Sequence, residues 1–590
     1  MPTLTIDDQP VEVPENTTIL EAARTIGIRI PTLCYLENLK GIGACRVCLV
    51  EVENHKELVA SCVTPVADGM NIHTNNQRIR KARRVVIELL LSEHGGDCQT
   101  CERSGDCELE DLANRMGIKK IHYPGEKKPR VIDESTPALR RDSGKCINCR
   151  RCITVCSEVQ GVYALAPQNR GFKTVIGPAF AQNLDTVACV QCGQCAAVCP
   201  VGAITEKDQI DEVWEALDDP KQWVIVQTAP AIRAALGECF GLPPGTLVTG
   251  KMVTALRKLG FRAVFDTNFA ADLTIMEEGS ELLQRLKRAI LEKQPVALPQ
   301  FTSCCPSWIK FAEYFYPEFL PNISTCKSPQ QMFGPIAKTY YAEKIGKKPE
   351  EITVVSVMPC TAKKFEEDRP EMCASGVKDV DYVLTTRELG RMIKQAGIDF
   401  LALDDDQQDS PLGLSSGAAD IFANTGGVME AALRTAYAIV TGRPLPVPNL
   451  HIAAVESLEG VKEASLTIED PLEEWSFLAG VTVKVAVAHG LANARKLLEY
   501  IKAGHGEYHF VEIMACPGGC IGGGGQPRMT NNEVRQARIN AIYREDEGKK
   551  LRMSHENPDI IALYREFLGQ PLGERSHHLL HTTYRERSRV

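Results

Sequence analysis

ITVVSVMPCTAKK, residues 352–364, decides the architecture: an apolar run of strand length stops at a cysteine, and a polar segment follows. The same form recurs twice. PVALPQFTSCCPSW (295–308) runs from an apolar stretch into Cys304 and Cys305, and HFVEIMACPGGCIGGGGQP (509–527) runs into Cys516 and Cys520. Working outward, WVIVQ (223–227), AVF (263–265) and VKVAVAH (483–489) alternate with amphipathic helical stretches from about residue 210 onward. Strands alternating with helices predict an α/β domain built on parallel sheets. Sites in such sheets form just past the carboxyl ends of the strands, so three strand ends can bring their cysteines to one spot.

Cysteine sets the chemistry. The 590 residues hold 23 cysteines, most of them in short-spaced runs between Cys34 and Cys199. In a reducing compartment such density means metal or redox chemistry, whereas a disulfide scaffold is short, secreted and carries a leader. MPTLTIDDQPVEV has neither a basic start nor an apolar stretch, so no signal peptide is expected. No segment approaches the ~18 apolar residues of a membrane span. A net charge of −9 without a long basic run argues against a nucleic-acid partner. A cytoplasmic location is expected.

Before residue 210 the sequence reads as a row of small cluster modules. Residues 3–6 and 11–13 alternate like a hairpin. Thr18 and Glu21 have the spacing of a capping box before the helix ILEAARTIG, and GIGACRVC follows. This order resembles a plant-type ferredoxin, with Cys34, Cys45, Cys48 and Cys62 holding a 2Fe–2S cluster; zinc is the rival for four thiolates. The run before residue 94 reads as a helix delivering His94, which joins Cys98, Cys101 and Cys107 in HGGDCQTCERSGDC. That set suits a 4Fe–4S cluster with one imidazole ligand, with zinc again the alternative. Residues 124–142, PGEKKPRVIDESTPALRRD, read as a polar linker or wrapping loop. CINCRRCITVC (146–156) and CVQCGQCAAVCP (189–200) carry the spacing of two-cluster bacterial ferredoxins, in which the fourth cysteine crosses to the other cluster. Cys146, Cys149, Cys152 and Cys199 then hold one 4Fe–4S cluster, and Cys156, Cys189, Cys192 and Cys195 the other.

TSCCPSW, MPCTAKK and MACPGGCIGGGGQP together closely resemble the three signature motifs of the iron-only (FeFe) hydrogenases. The four upstream motifs, in this order, match the long form of that family, and the likeness extends over about residues 1–530. The resemblance implies that Cys305, Cys360, Cys516 and Cys520 hold an H-cluster. This is a 4Fe–4S cubane joined through Cys520 to a two-iron subsite with CO, CN⁻ and a bridging dithiolate. It makes Cys304 the proton-donating thiol and Lys363 a hydrogen-bond donor to a cyanide. Glu278 and Glu281 in IMEEGSE, with Ser324 in NISTCK, match the proton path, and Pro230, Met358, Phe422 and Met514 match pocket-lining positions. By spacing alone, Glu278 and Glu281 fit a solvated helix face, Lys363–Lys364 an exposed basic pair, and Ser324 a capping or loop hydroxyl. Two departures are visible: Pro517 where many members have histidine, and Ala362 where serine is common. Neither removes a ligand, though each can alter hydrogen bonding around the clusters.

Cys239, Cys326 and Cys373 remain outside these sets and read as small buried hydrophobes. GTLVTGKM (245–252) almost matches a phosphate-binding loop, but Met252 occupies the position of the Mg²⁺-binding hydroxyl. The expected organisation is a β-grasp ferredoxin domain (1–78), a His/Cys cluster domain (79–125), a two-cluster ferredoxin domain (126–209), a two-lobed α/β catalytic domain (210–530) and a helical tail (531–590). The expected cofactors are one 2Fe–2S cluster, three 4Fe–4S clusters and the H-cluster, with no flavin on this chain. Partners are expected to be ferredoxin, or a flavin-bearing NAD(P)H-oxidising subunit in a hetero-oligomer. The end, EFLGQPLGERSHHLLHTTY, resembles subunits of multimeric NAD(P)-linked, often electron-bifurcating hydrogenases. The competing readings are a non-catalytic electron wire, like the large iron–sulfur subunit of respiratory complex I, and an iron–sulfur sensor or assembly factor. The three C-terminal motifs weigh against the first, and Cys304 with its proton path against the second.

Overall fold

A computed structural model describes residues 1–127, 130–446, 453–455, 458–528 and 530–589. At the N-terminus, strands Thr3–Ile6 and Gln9–Glu12 pair antiparallel, and Thr3–Ile6 also pairs parallel with Asn71–His73 in a five-stranded sheet. The helix Ile19–Thr25 buries Ile19, Leu20, Ala22 and Ala23. Its capping box is reciprocal: the Thr18 side chain accepts from the Glu21 N–H, and the Glu21 carboxylate accepts from the Thr18 N–H at 2.9 Å. The helix Gln77–Glu93 ends with His94 as its C-cap.

The expected linker 124–142 is not wholly a loop. Ile132–Asp133 and Leu139–Asp142 pair antiparallel, and the second strand pairs with Ile204–Glu206, which closes the two-cluster module. Three of the four residues Leu139–Asp142 are buried despite their charge, and Arg141 donates to the Ile176 carbonyl at 3.0 Å.

The catalytic half carries two sheets. In the first, Ala263–Asp266, Trp223–Thr228, Ile352–Met358 and Tyr382–Thr385 are all parallel. Ile352–Met358 is buried along its whole length, as a strand covered on both faces must be. The second sheet is mixed. Gln300–Phe301, Phe510–Met514 and Thr482–His489 are parallel, while Val461–Thr467 and Ala453–Ala454 run antiparallel at its edge. Between the sheets lies the 24-residue helix Thr267–Ile290, of which sixteen residues are buried. Helices Asn532–Gly548, Pro558–Leu563 and Glu574–Leu580 follow the last motif. No helix among the described residues is long and apolar enough to cross a membrane.

GTLVTGKM does not form a phosphate cradle. Met252 is buried in the helix Thr249–Leu259, and the Lys251 ammonium is spent on the carbonyls of Leu401 and Leu403.

Candidate active site

The parallel strands explain where the chemistry lies. Cys360 follows Ile352–Met358 at the carboxyl end of the first sheet, and Cys304–Cys305 and Cys516 follow Gln300–Phe301 and Phe510–Met514 in the second. Cys305 caps the helix Pro306–Phe315 and Cys520 opens a short helical turn. Burial raises the pKa of each of Cys305, Cys360, Cys516 and Cys520. Neighbouring thiols act in the same direction: Cys516 is affected by Cys360, Cys305 and Cys520, and Cys520 by Cys305 and Cys360. Four thiols from three distant segments therefore gather in one buried place, and none is in a disulfide. Burial and crowding disfavour four thiolates side by side, since each charge would raise its neighbours; an iron–sulfur group would supply the positive charge that lets all four bind as thiolates. The donor set fits an iron–sulfur group.

Glycines permit the close packing. A Cβ on Gly523 would lie 2.2 Å from the Pro359 carbonyl oxygen, and one on Gly524 would lie 2.2 Å from the Cys192 carbonyl oxygen. The glycine run is thus pressed between the Cys360 loop and the last accessory loop. Three hydrogen bonds extend that junction. Gln160 Nε2 donates to Ala515 O (2.9 Å), Gln194 Nε2 to Gly522 O (2.9 Å), and Thr361 Oγ1 to Gln191 O (2.8 Å). Ion pairs hold the two halves farther out, with Arg387 on Glu206 at 2.6 Å and Arg528 on Asp106 at 2.6 Å.

The charged residues around the thiols are buried, against what their spacing alone suggests. Glu278 is fully buried; neither carboxylate oxygen makes a hydrogen bond of good geometry among the described residues, though the Ser303 N–H and the Ser324 hydroxyl lie close enough to lower its pKa. Burial, reinforced by Glu281, pushes its pKa up to about 8. The electrostatic influence of Glu278 reaches Cys304, whose thiol is raised mainly by burial. Glu281 accepts from Ser324 Oγ at 2.7 Å and pairs with Arg285 Nη2 at 2.6 Å. Lys363 and Lys364 are buried too, each on a carboxylate: Glu366 at 2.8 Å and Glu388 at 2.9 Å. Lys363 Nζ also donates to Cys304 O (3.1 Å) and Ser328 Oγ (2.7 Å), which ties two motifs together. Burial opposes its charge, but Glu366 outweighs this and its pKa is raised.

Phe422 and Met514 share one apolar cluster with Cys304, Cys305 and Cys520. Met358 and Pro230 sit at the end of the first sheet, where the Ala229 N–H donates to Val357 O at 3.0 Å; Met358 packs into the other core. Arg285, Glu366 and Ser328 went unread in the sequence. Arg285 had a signal, an acid four residues before a base on one helix face; Glu366 and Ser328 had none stronger.

The accessory sets also gather. Cys48 and Cys62 lie 3.3 Å apart, and Cys34 interacts with Cys45 and Cys62. Cys146, Cys149, Cys152 and Cys199 line one cavity, whereas Cys156 neighbours Cys189 and Cys195. Cys192 neighbours both Cys195 and Cys516, so it faces its own set and the catalytic one. His94 is partly buried against the Lys145 backbone, and its shielded Nδ1 has no hydrogen-bond partner among the described residues. Lys145 Nζ lies 3.4 Å from Cys101 Sγ, and Cys98 is exposed beside Cys101.

The buried-hydrophobe reading holds for none of the three remaining cysteines in full, and Cys239 is only partly buried. Cys373 is exposed, because it sits in the turn after the helix Ala362–Glu367. Cys326 is buried, but in a polar place: its Sγ lies 3.9 Å from Glu281 Oε2.

Comparison with known proteins gives a consistent result. Residues 222–524 match the family described as iron only hydrogenase large subunit, C-terminal domain, and 532–587 match iron hydrogenase small subunit. Upstream, residues 1–77 match a 2Fe–2S cluster binding domain, 83–122 the iron–sulfur binding region of NADH-ubiquinone oxidoreductase-G, and 145–203 a 4Fe–4S dicluster domain. The chain is 53% identical to the NADP-reducing hydrogenase subunit HndD of Solidesulfovibrio fructosivorans, over 100% of both chains. It is 41% identical to iron hydrogenase 1 of Clostridium pasteurianum, over 99% of this chain and 100% of that one. A solved FeFe-hydrogenase HydA1 from Chlamydomonas reinhardtii superposes with a TM-score of 0.59 at 45% identity, covering 65% of this chain and 100% of that one.

Proposed function

The chain belongs to the iron-only hydrogenases and is a catalytic hydrogenase subunit; from that premise we propose how its residues divide the work. Cys305, Cys360, Cys516 and Cys520 hold the six-iron H-cluster. When bound, that group supplies the low-potential metal position at which two protons and two electrons combine to H₂. Cys304, 3.1 Å from Lys363 through its backbone carbonyl, presents the thiol that gives up and regains each proton. Glu278 reloads Cys304. Its carboxyl makes no close hydrogen bond, Ser303 and Ser324 act on it only weakly, and burial raises its pKa to about 8, which suits a group that must hold and release a proton in turn. Ser324 passes protons between Glu278 and Glu281, and Arg285 holds Glu281 at the outer end. Lys363 would serve as donor to a cyanide of the two-iron part; its three N–H groups here go to Glu366, Ser328 and the Cys304 carbonyl, so one of those bonds must yield when it does. Pro230, Met358, Phe422 and Met514 keep water from the reacting position.

Electrons reach the site along the accessory clusters: one 2Fe–2S cluster on Cys34, Cys45, Cys48 and Cys62, and three 4Fe–4S clusters on the His94 set and the two crossed sets. The last step runs across the Gly524–Cys192 contact. The domain division 1–78, 79–125, 126–209, 210–530 and 531–590 follows these modules. Full-length likeness to HndD supports a place in an NADP-linked complex; because a hydride must be split before single electrons enter the clusters, the partner would carry a flavin. Full-length likeness to iron hydrogenase 1, which is not named as a subunit, favours as a second reading a stand-alone enzyme, for which ferredoxin is the expected donor.

The observation that carries the reading is the convergence of four thiols from three strand ends beside the buried carboxyl of Glu278. The test is infrared spectroscopy of the matured protein with iron analysis. CO and CN⁻ bands and about twenty iron atoms per chain are expected; an active sample without the bands refutes the assignment. Co-purification from the native host separates the two partner readings by flavin content.

A further inference from the structure

We infer that the Lys310 ammonium is the electrostatic counterpart of the cluster on Cys156, Cys189, Cys192 and Cys195, raising that cluster's reduction potential so that an electron is held beside the catalytic site. The inference rests on the ligand reading given above. Its ground is the helix Pro306–Phe315, which starts at Cys305 and so leads directly away from the catalytic site. Trp308, Ile309, Phe311 and Ala312 of this helix share one apolar cluster with Val190 and Cys192 of the accessory loop. One helix therefore serves both sites: a catalytic thiol caps it, and an accessory loop packs along its flank.

Lys310 is 3% exposed, yet its Nζ makes no hydrogen bond or ion pair among the described residues. It lies over the Phe365 ring, 4.2 Å from the centroid, and 5.8 Å from the centroid of Tyr314. The acid nearest in sequence, Glu313, is already taken: Arg369 Nη2 lies 2.8 Å from one oxygen and Arg587 Nε 2.5 Å from the other. The same two guanidiniums flank Phe365, 5.8 and 5.2 Å from its centroid. Three cations thus surround one ring, and the carboxylates that answer them are Glu313 and Glu371, both held by guanidiniums. A buried ammonium without a carboxylate is costly, because burial removes its water and nothing charged replaces it. The ring face offsets part of that cost. The rest calls for a negative charge.

Cys189 marks where that charge belongs. Burial lowers the Lys310 pKa to about 8, and of the influences that favour its charge the Cys189 sulfur comes before Glu313. The effect is mutual. Burial raises the Cys189 thiol, Lys310 opposes this more than the Gln191 N–H does, and Asp133 acts the other way. Tyr314, one turn beyond Lys310, also feels Cys189, so this face of the helix is the one turned to the accessory set. Four thiolates around a 4Fe–4S core leave net negative charge, and each electron taken up adds more; net charge is one of the quantities that set such a potential. A fixed cation favours the reduced form. Lys310 supplies that cation with no proton moved and no bond made or broken. Cys192 of the same set neighbours Cys516, so this is the accessory set next to the catalytic thiols. H₂ formation uses two electrons that arrive singly, and a reduced form stabilised here keeps the second at hand.

The test is a potentiometric titration of the matured holoenzyme followed by electron paramagnetic resonance, comparing wild type with Lys310→Met and Lys310→Arg. At the potential where the wild-type cluster is half reduced, Lys310→Met should show a reduced-to-oxidised ratio about tenfold lower, equal to about 59 mV for one electron. The other accessory clusters should change by less than about twofold, because the interaction weakens with distance. Lys310→Arg keeps the charge and should stay within about threefold of wild type. Infrared bands and iron content should match in all three. Lys310→Gln, neutral and polar, repeats the comparison where the methionine variant fails to assemble. No shift in a neutral variant overturns the inference. So does an equal shift in Lys310→Met and Lys310→Arg, which makes the effect one of packing, or a uniform shift of every cluster. Loss of the cluster in both neutral variants also overturns it, leaving the lysine a structural residue. Iron analysis of the wild type separates the two readings. About twenty atoms per chain with no shift removes the role of Lys310 alone; a chain about four atoms short removes the cluster, and the inference with it.

Discussion

The two halves of the molecule collect cysteines in opposite ways. Before residue 210 each set is mostly local: Cys146, Cys149 and Cys152 lie within one short stretch and are joined by Cys199, as Cys189, Cys192 and Cys195 are joined by Cys156. Past residue 210, the four proposed ligands come from three strand ends in two separate sheets, brought together by the packing of the whole domain. A local set depends on its loop; a convergent set depends on everything between. The first half should therefore lose clusters one at a time, while the catalytic half should lose its site as a unit.

Cys520→Ser is the strongest challenge to that contrast. An alcohol is a poor ligand for iron, so the six-iron site should fail to assemble and H₂ turnover should fall by more than about 10⁴-fold. The electron paramagnetic signals of the accessory clusters should survive. If they vanish together with the infrared bands, the halves are not independent and the contrast is wrong.

Glu278→Gln tests chemistry without assembly. Glutamine keeps the shape and cannot exchange a proton, so turnover should fall about 10²- to 10³-fold with the infrared bands intact. The sign with pH follows from burial. With a pKa of about 8, the wild-type carboxyl is protonated at neutral pH, and H₂ evolution should decline as pH rises through that value. The variant should show no such limb. Near-wild-type rates would mean that protons bypass Glu278.

Legibility follows the same contrast. The capping box at Thr18 and Glu21, the helix leading to His94 and the crossover of Cys199 were readable because each is a short-range pattern. The strand ends at Cys305, Cys360 and Cys516 were readable because an apolar run that stops at a cysteine has few other meanings. What stayed hidden was tertiary. Nothing near Lys363 separates its buried pairing with Glu366 from an exposed basic pair, and Glu278 alone fits a wet helix face. Residues 132–142 look polar, yet pair as strands because Ile204–Glu206 offers them an edge. The tail's approach to Ser324 had no local signature at all, since it rests on backbone bonds between segments more than 250 residues apart.

Gly524→Ala sharpens the contrast at the seam. Its Cβ would fall 2.2 Å from the carbonyl oxygen of Cys192, a backbone atom with no freedom to swing away. Separating the loops should cost about 1–3 kcal/mol of packing, seen as a lower midpoint of thermal unfolding. H₂ formation driven through the N-terminal clusters should drop more than isotope exchange at the catalytic site, which needs no electron supply. Equal loss in both assays would place the strain inside the catalytic half and not between the halves.

His94→Ala should have the smallest effect on catalysis and is the cleanest test of locality. His94 lies at the end of one helix, far in sequence from every catalytic thiol, and its buried Nδ1 has no other bond to lose. Alanine should remove one ligand of one cluster. One electron paramagnetic signal should change, the infrared bands should not, and turnover with a small dye should stay within about twofold, because a dye can pass electrons to other clusters. Turnover driven by a protein donor that docks beside this cluster should fall more. Zinc in place of iron at this site in the wild-type protein would end the ligand reading for His94, Cys98, Cys101 and Cys107. Loss of the infrared bands in His94→Ala would show that even a local set in the first half supports the distant, convergent one.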